Sequence, residues 1–98
     1  MRQEYQFNHA LITAIEMGLS KLYSRDDAEA IKLVADPRMA QGNGHAFAMV
    51  IQKMFGDDAQ RILRSIEDSL CDIASIQKRE WSSFEECIGA ARQGLAEL

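Results

Sequence analysis

Two cysteines and two histidines are the side chains in this chain that could ligate a metal or form a nucleophile–base pair. Cys71 and Cys87 lie sixteen residues apart, and His9 and His45 lie farther away along the chain. No pair has the short ligand spacing of a zinc motif. Cys87 falls on an apolar helical stripe and is expected to be buried, whereas Cys71 is expected at the edge of a polar face. We therefore predict no metal, no cofactor and no catalytic residue.

Ser69 stands in a second pattern, the triplet Asp68-Ser69-Leu70. Acyl carrier proteins have this triplet where phosphopantetheine is attached, and that chemistry needs an exposed serine at the start of a helix. Here Ser69 falls inside an unbroken amphipathic pattern, so we interpret it as an ordinary helical serine. A small carrier or enzyme that uses Ser69 or Cys71 remains the alternative function.

The glycine-rich and acidic segments have structural explanations. The segment 42–44, Gly-Asn-Gly, precedes a predicted helix, but it follows no strand and has no P-loop lysine. We predict a flexible turn there. The carboxylate pairs at 26–27, 57–58 and 85–86 stand at predicted helix starts, where capping and the helix dipole explain them without acid–base catalysis.

Composition and charge exclude several classes of protein. Of the 98 residues 47% are hydrophobic and 27% charged, and the net charge is −4, as in an ordinary globular protein. The longest apolar run, residues 46–51, is far too short for a membrane span, and the first eight residues lack the apolar segment of a secretory signal. Direct nucleic-acid binding is not expected, because no basic patch is present. We predict a cytoplasmic protein with reduced thiols.

Helical periodicity accounts for most of the chain. Apolar residues recur at helical spacing in the ranges 4–23, 45–55 and 57–80, and again from residue 82 to the C-terminus. A further helix is predicted from the Ser24 cap to about Ala35, where Pro37 ends it and opens a short turn. The chain is therefore predicted to be one all-α domain over residues 1–98, a compact bundle of about five helices with helix 57–80 at its centre.

Two stretches of the chain resemble each other. Residues 9–28 and residues 45–59 each read His-Ala, apolar helix, Lys, apolar residue, aromatic residue, turn and Asp-Asp-Ala. Each stretch fits a helical hairpin with an aromatic side chain under its corner. The likeness reflects either two αα-hairpins closed by a C-terminal helix or the capping pattern that many such corners share. Both explanations predict the same architecture.

The apolar arc of helix 57–80 carries the main functional signal. Its three- and four-residue alternation is typical of a helix-to-helix seam, and the five methionines of the chain add adaptable apolar surface. We interpret the chain as a non-enzymatic protein–protein interaction module, an adaptor, regulator or inhibitor, that docks through this face on another protein or on a second copy as a homodimer. The expected contact residues are Ile62, Ile76 and the anchor Trp81. An accessory subunit of a nucleic-acid-associated complex is the second alternative.

Overall fold

The first two helices follow the predicted ranges closely. The structure, a computed structural model, describes residues 2–97, with side chains from residue 6 onward. Helix α1 covers Arg2–Leu22 and helix α2 covers Arg25–Val34. The Ser24 hydroxyl caps α2 by accepting a hydrogen bond from the Asp27 N–H at 3.2 Å. The predicted hydroxyl cap is therefore confirmed, and it separates the two helices.

Two further helices follow with almost no loop between them. Helix α3 covers Pro37–Gly42 and helix α4 covers Gly44–Phe55. The short turn predicted after Pro37 is thus a six-residue helix. The flexible turn predicted at residues 42–44 is wrong, because Asn43 alone separates α3 from α4. Its side-chain oxygen caps α4 by accepting from the Ala46 N–H at 3.0 Å.

The predicted helix 57–80 is shorter in the structure at both ends. Residues Gly56–Asp58 form a 3-10 turn, and helix α5 covers Ala59–Ala74. The helix stops because Ser75 adopts the left-handed conformation, with φ 57°. The N–H of Ile76 then bonds back at 3.0 Å to a carbonyl in the last turn of α5. Apolar spacing continues as far as Ile76, so periodicity alone does not reveal this end.

The last helix, α6, covers Phe84–Ala96 and has a well-defined start. The Ser83 hydroxyl accepts a hydrogen bond from the Glu86 N–H at 3.1 Å. The Glu86 carboxylate in turn accepts from the backbone N–H of Ser82 at 3.1 Å. The Ser83 hydroxyl thus caps α6, and the Glu86 carboxylate binds the N–H of the residue before the cap.

Helix α5 lies at the centre of the bundle, as predicted. It packs most extensively against α1 and also against α6 and α4. The Ser65 hydroxyl donates to the Gly18 carbonyl at 2.8 Å where α5 meets α1. The all-α bundle is confirmed, and the described part of the chain contains five helices of ten or more residues and the short α3. Among residues 2–97, no helix has both the length and the apolar character needed to cross a bilayer.

The two similar stretches form related corners with different caps. Their aromatic side chains, Tyr23 and Phe55, contact each other with ring centroids 6.0 Å apart. The first corner has the Ser24 cap. The second corner is a 3-10 turn, and Asp58 occupies the N-cap position of α5 there but makes no capping hydrogen bond with its side chain. The side-chain capping predicted for the acids at 57–58 is therefore wrong. Whether the stretches are a true repeat stays a prediction.

Candidate functional site

The residues predicted to bind a partner lie in different environments. Ile62 is 0% exposed, so its predicted position at an accessible edge is wrong. Helices α1 and α6 both pack on α5, and the apolar arc that was predicted to face a partner is instead core, with Leu63 and Ile66 also buried. Ile76 is half-buried and packs against Gly94 of α6. A Cβ added to Gly94 would lie 2.5 Å from the Cγ2 of Ile76.

Trp81, the predicted anchor, is half-buried and packs against the core. The Arg79 guanidinium lies over its ring, 4.5 Å from the centroid. The indole N–H is buried and makes no hydrogen bond within the described residues. Burial raises the pKa of the neighbouring Cys71 thiol, while interactions with Cys87 and Trp81 lower it. A role of Trp81 in partner binding stays a prediction.

The two cysteines are buried free thiols. Cys71 is 0% exposed although its position on the helical wheel is at the edge of the polar face, and the burial predicted for Cys87 is confirmed. The Cys87 thiol donates to the Glu67 carbonyl at 3.9 Å. Burial raises the pKa of Cys87 far above its ordinary value. Because the thiolate is the reactive form, these environments suppress nucleophilic chemistry at both sulfurs.

Ser69 lies inside α5, as predicted, and is 0% exposed. Its hydroxyl accepts a hydrogen bond from the Lys21 ammonium at 3.0 Å and donates to the Ser65 carbonyl at 3.1 Å. The hydroxyl therefore joins α1 to α5. This position differs from the exposed, helix-start serine that attachment of a prosthetic group needs.

A cleft of about 230 Å³ opens where α4, α5 and the start of α6 meet. We call it the Glu67 cleft. Helices α4 and α5 each contribute three residues at positions i, i+3 and i+7, which share one helix face. Residues 81–85 complete the lining. The lining side chains are His45, Ala48 and Gln52 from α4, Gln60, Leu63 and Glu67 from α5, and Trp81, Ser82, Ser83, Phe84 and Glu85.

Glu67 is the unusual residue of this cleft. It is 6% exposed, and its carboxyl group makes no hydrogen bond or ion pair with any described residue. Burial raises the pKa of Glu67 to about 7. The positive charge of Arg64 acts to lower this pKa, and the negative charge of Asp68 acts to raise it. A mostly buried carboxyl group that has lost part of its hydration and has no protein partner is unfavourable in its ionised form. Such a group at a cleft wall marks a candidate functional site.

The mouth of the cleft carries a second, exposed pair of titratable groups. His45 Nδ1 lies 3.7 Å from Glu85 Oε1. His9, the other histidine, is exposed on α1. Among the side chains that the structure describes, no group of three or more His, Cys, Asp or Glu is arranged to hold a metal ion.

Helical periodicity does not predict Glu67 as a site residue. The periodicity separates an apolar arc from a charged face, and Glu67 lies on the border between them, about 40° from Leu63 on a helical wheel. A detectable signal exists nevertheless. The spacing His45, Ala48, Gln52 is repeated as Gln60, Leu63, Glu67, and both triplets place polar groups on either side of an apolar residue. Two such stripes on consecutive helices indicate a shared polar-edged surface.

Comparison of the chain with protein-family models, curated proteins and solved structures finds no match.

Proposed function

We propose that this chain is a non-enzymatic protein–protein interaction module, an adaptor, regulator or inhibitor, that docks its partner at the Glu67 cleft. The observation that supports this is the buried Glu67 carboxyl group, which has no partner within the described residues although it lines an open cleft. A side chain from another protein would satisfy it. Docking at this cleft replaces docking through the apolar face of α5, since that face forms the core.

Several groups that could do covalent chemistry already have structural roles, which favours binding over catalysis. The Ser83 hydroxyl, at the edge of the cleft, caps α6. The Ser69 hydroxyl connects two helices, and the thiols of Cys71 and Cys87 are buried. The remaining ionisable groups of the cleft are Glu67, His45 and Glu85. Of these, Glu67 is buried in the wall, and a carboxyl group in a small cleft is well suited to recognise a donor.

We place this function in the cytoplasm. Cys71 and Cys87 are both free and lie on the contacting helices α5 and α6. Thiols that stay reduced are typical of cytosolic proteins. A homodimer is one form that the partnership can take, with a second copy of the chain at the cleft.

Site-specific photo-crosslinking in the native cells tests the proposed function. A benzophenone amino acid is placed at position 52 or 60, where exposed glutamines line the cleft, and for comparison at exposed position 97, outside it. Each chain is also made with Glu67→Gln. We expect a discrete adduct from positions 52 and 60 that is strongly reduced by Glu67→Gln. An adduct of twice the chain mass would identify a second copy as the partner.

Two results would overturn the proposed function. One is a set of adducts that is the same from position 97 as from positions 52 and 60. The other is the absence of any protein adduct at the cleft positions while the chain is folded, as judged by its circular dichroism. Glu97→Gln is the matched control substitution, because Glu97 is an exposed acid that does not line the cleft.

A further inference from the structure

The Glu67 carboxyl group makes no ion pair within the described residues, although the charge of nearby Arg64 acts on it. Arg64, one turn earlier on α5, lies 3.9 Å from Glu80. Arg79 lies 3.0 Å from Glu86 and also covers the Trp81 ring. Each of these guanidinium groups thus has an acidic or aromatic partner. A cationic ligand can therefore supply the direct counter-ion that the Glu67 carboxyl group does not have.

The charge of the cleft also favours a cation. Its ionisable lining consists of two acids, Glu67 and Glu85, and one histidine, His45. The whole chain has a net charge of −4. A carboxylate at the wall and a second one at the mouth repel anions and attract a positively charged donor.

The shape and the remaining lining favour one long side chain with a planar head. The cleft of about 230 Å³ is smaller than typical pockets for drug-sized molecules. Ala48, Leu63 and Phe84 provide apolar contacts for an aliphatic stem. The amide oxygens of Gln52 and Gln60 are further acceptors. A guanidinium group has five donors in a rigid fork and can bind a carboxylate through two of them, whereas an ammonium group is a compact point charge.

We propose that the Glu67 cleft is a receptor for the guanidinium group of an arginine side chain, with the Glu67 carboxylate as its counter-ion. This inference rests on the proposed function, since the arginine would belong to the partner protein. The stem of the arginine contacts the apolar walls, its head binds Glu67, and its remaining donors reach the glutamine amides at the rim.

Binding of a cation at Glu67 is coupled to loss of a proton. Burial raises the pKa of Glu67 to about 7, so the carboxyl group is largely protonated at pH 6 and largely ionised at pH 8. The charged groups around it are Arg64 and Asp68 on α5, His45 on α4 and Glu85 on α6. The thiols of Cys71 and Cys87 also lie close to Glu67, and burial raises the pKa of both, so they stay neutral over this range. Because the guanidinium binds the ionised form of Glu67, the affinity for a guanidinium ligand should follow the ionised fraction of this carboxyl group. It should therefore fall about tenfold from pH 8 to pH 6.

A titration with blocked amino acids tests the ligand class without the partner. The probe is N-acetyl-arginine N-methylamide, and the neutral, nearly isosteric control is the citrulline analogue. At pH 8 we expect the arginine probe to shift the backbone amide resonances of the cleft residues, with a millimolar dissociation constant. The citrulline analogue should produce at least about tenfold weaker binding, since it lacks the charge.

Matched variants locate the binding. Glu67→Gln keeps the shape of the side chain and should reduce affinity by at least about tenfold, whereas Glu97→Gln should leave it unchanged. Histidine side chains in general change charge between pH 6 and 8, so the pH dependence is repeated in His45→Gln. That variant should retain the fall in affinity toward pH 6, because Glu67 is the group that must ionise.

The results distinguish the ligand class from the proposed function. Equal binding of arginine and citrulline, shifts outside the cleft, or full affinity in folded Glu67→Gln would overturn the guanidinium receptor. If cleft adducts form in cells but the arginine probe does not bind, the ligand class is wrong and partner docking holds. If the probe binds through Glu67 but no cleft adduct forms, the cation site holds and docking of a protein there is wrong.

Discussion

The Cα atom of Ile66 lies 2.7 Å from the position that a Cβ on Gly18 would occupy. Helices α1 and α5 reach this separation because residue 18 has no side chain. The same crossing carries the hydrogen bond from the Ser65 hydroxyl to the Gly18 carbonyl, at 2.8 Å. The most extensive helix pair of the bundle is therefore set by one glycine and one short hydroxyl side chain.

Gly18→Ala should destabilise the protein by about 1–3 kcal/mol, because the added methyl forces the two backbones apart. Alanine improves helix propensity by about 1 kcal/mol, so the loss from overpacking must exceed this gain. Urea unfolding followed by circular dichroism measures the difference. The control is Gly89→Ala in α6, where an added Cβ meets nothing within 4 Å, and it should stabilise by about 0.5–1 kcal/mol. Equal stability of the two variants would contradict this account.

Glu67→Gln should stabilise the protein at high pH. The folded pKa of about 7 is above the ordinary value of 4.5, so the stability linked to the bound proton is present below pH 4.5 and is lost as pH rises through 7. At pH 8 the wild type should have lost up to about 3 kcal/mol relative to the variant. Urea unfolding at pH 5 and pH 8 measures this. A constant difference between the two proteins would disprove the raised pKa, and Glu97→Gln should follow the wild type.

Ser83→Ala should reduce the free energy of unfolding by about 1 kcal/mol, because the first turn of α6 loses its hydroxyl cap at the Glu86 N–H. Thermal unfolding at neutral pH measures the effect. Ser20→Ala is the control, since Ser20 is exposed within α1 and alanine favours a helix there by a few tenths of a kcal/mol. If both substitutions changed stability equally, the cap would have no special role.

Native Cys71 and Cys87 should react with a thiol-specific disulfide reagent at least about a hundredfold more slowly than in urea, because both are 0% exposed and burial disfavours their thiolates. Reaction is followed by absorbance of the released thiolate. Leu33→Cys is the positive control, since Leu33 is 85% exposed on the surface of α2. Rapid reaction of the wild type without denaturant would show that one of the two cysteines is accessible.

Most helices could be predicted from the sequence, because their signals are local. Ser24 marks a helix start through a hydroxyl cap that forms as predicted, and the Ser83 hydroxyl caps α6 in the same way. The end of α5 has no comparable signal. It depends on a left-handed serine at position 75, and a non-glycine residue adopts this conformation only where the tertiary structure supports it.

The candidate site could be predicted only in part, because burial at the border of a helix face depends on its neighbours. Ile62 and Cys71 lie at opposite borders of the apolar face of α5, and both are covered once α1 and α6 pack there. Glu67 has a similar border position, but its polar group becomes the wall of a cleft. Sequence periodicity orders these positions around the helix and leaves open which neighbour covers each one.

Local hydrogen bonds close α5 at Ser75, and Ile76, the next residue, packs against Gly94 in a part of the chain that is synthesised later. A nascent chain that has emerged only to residue 80 has no α6, and its apolar spacing through Ile76 favours one longer helix. Left-handed serine is unfavourable by about 1 kcal/mol when nothing compensates for it. On the ribosome we therefore expect α5 to extend past Ser75 and to unwind its final turns when the C-terminal helix docks.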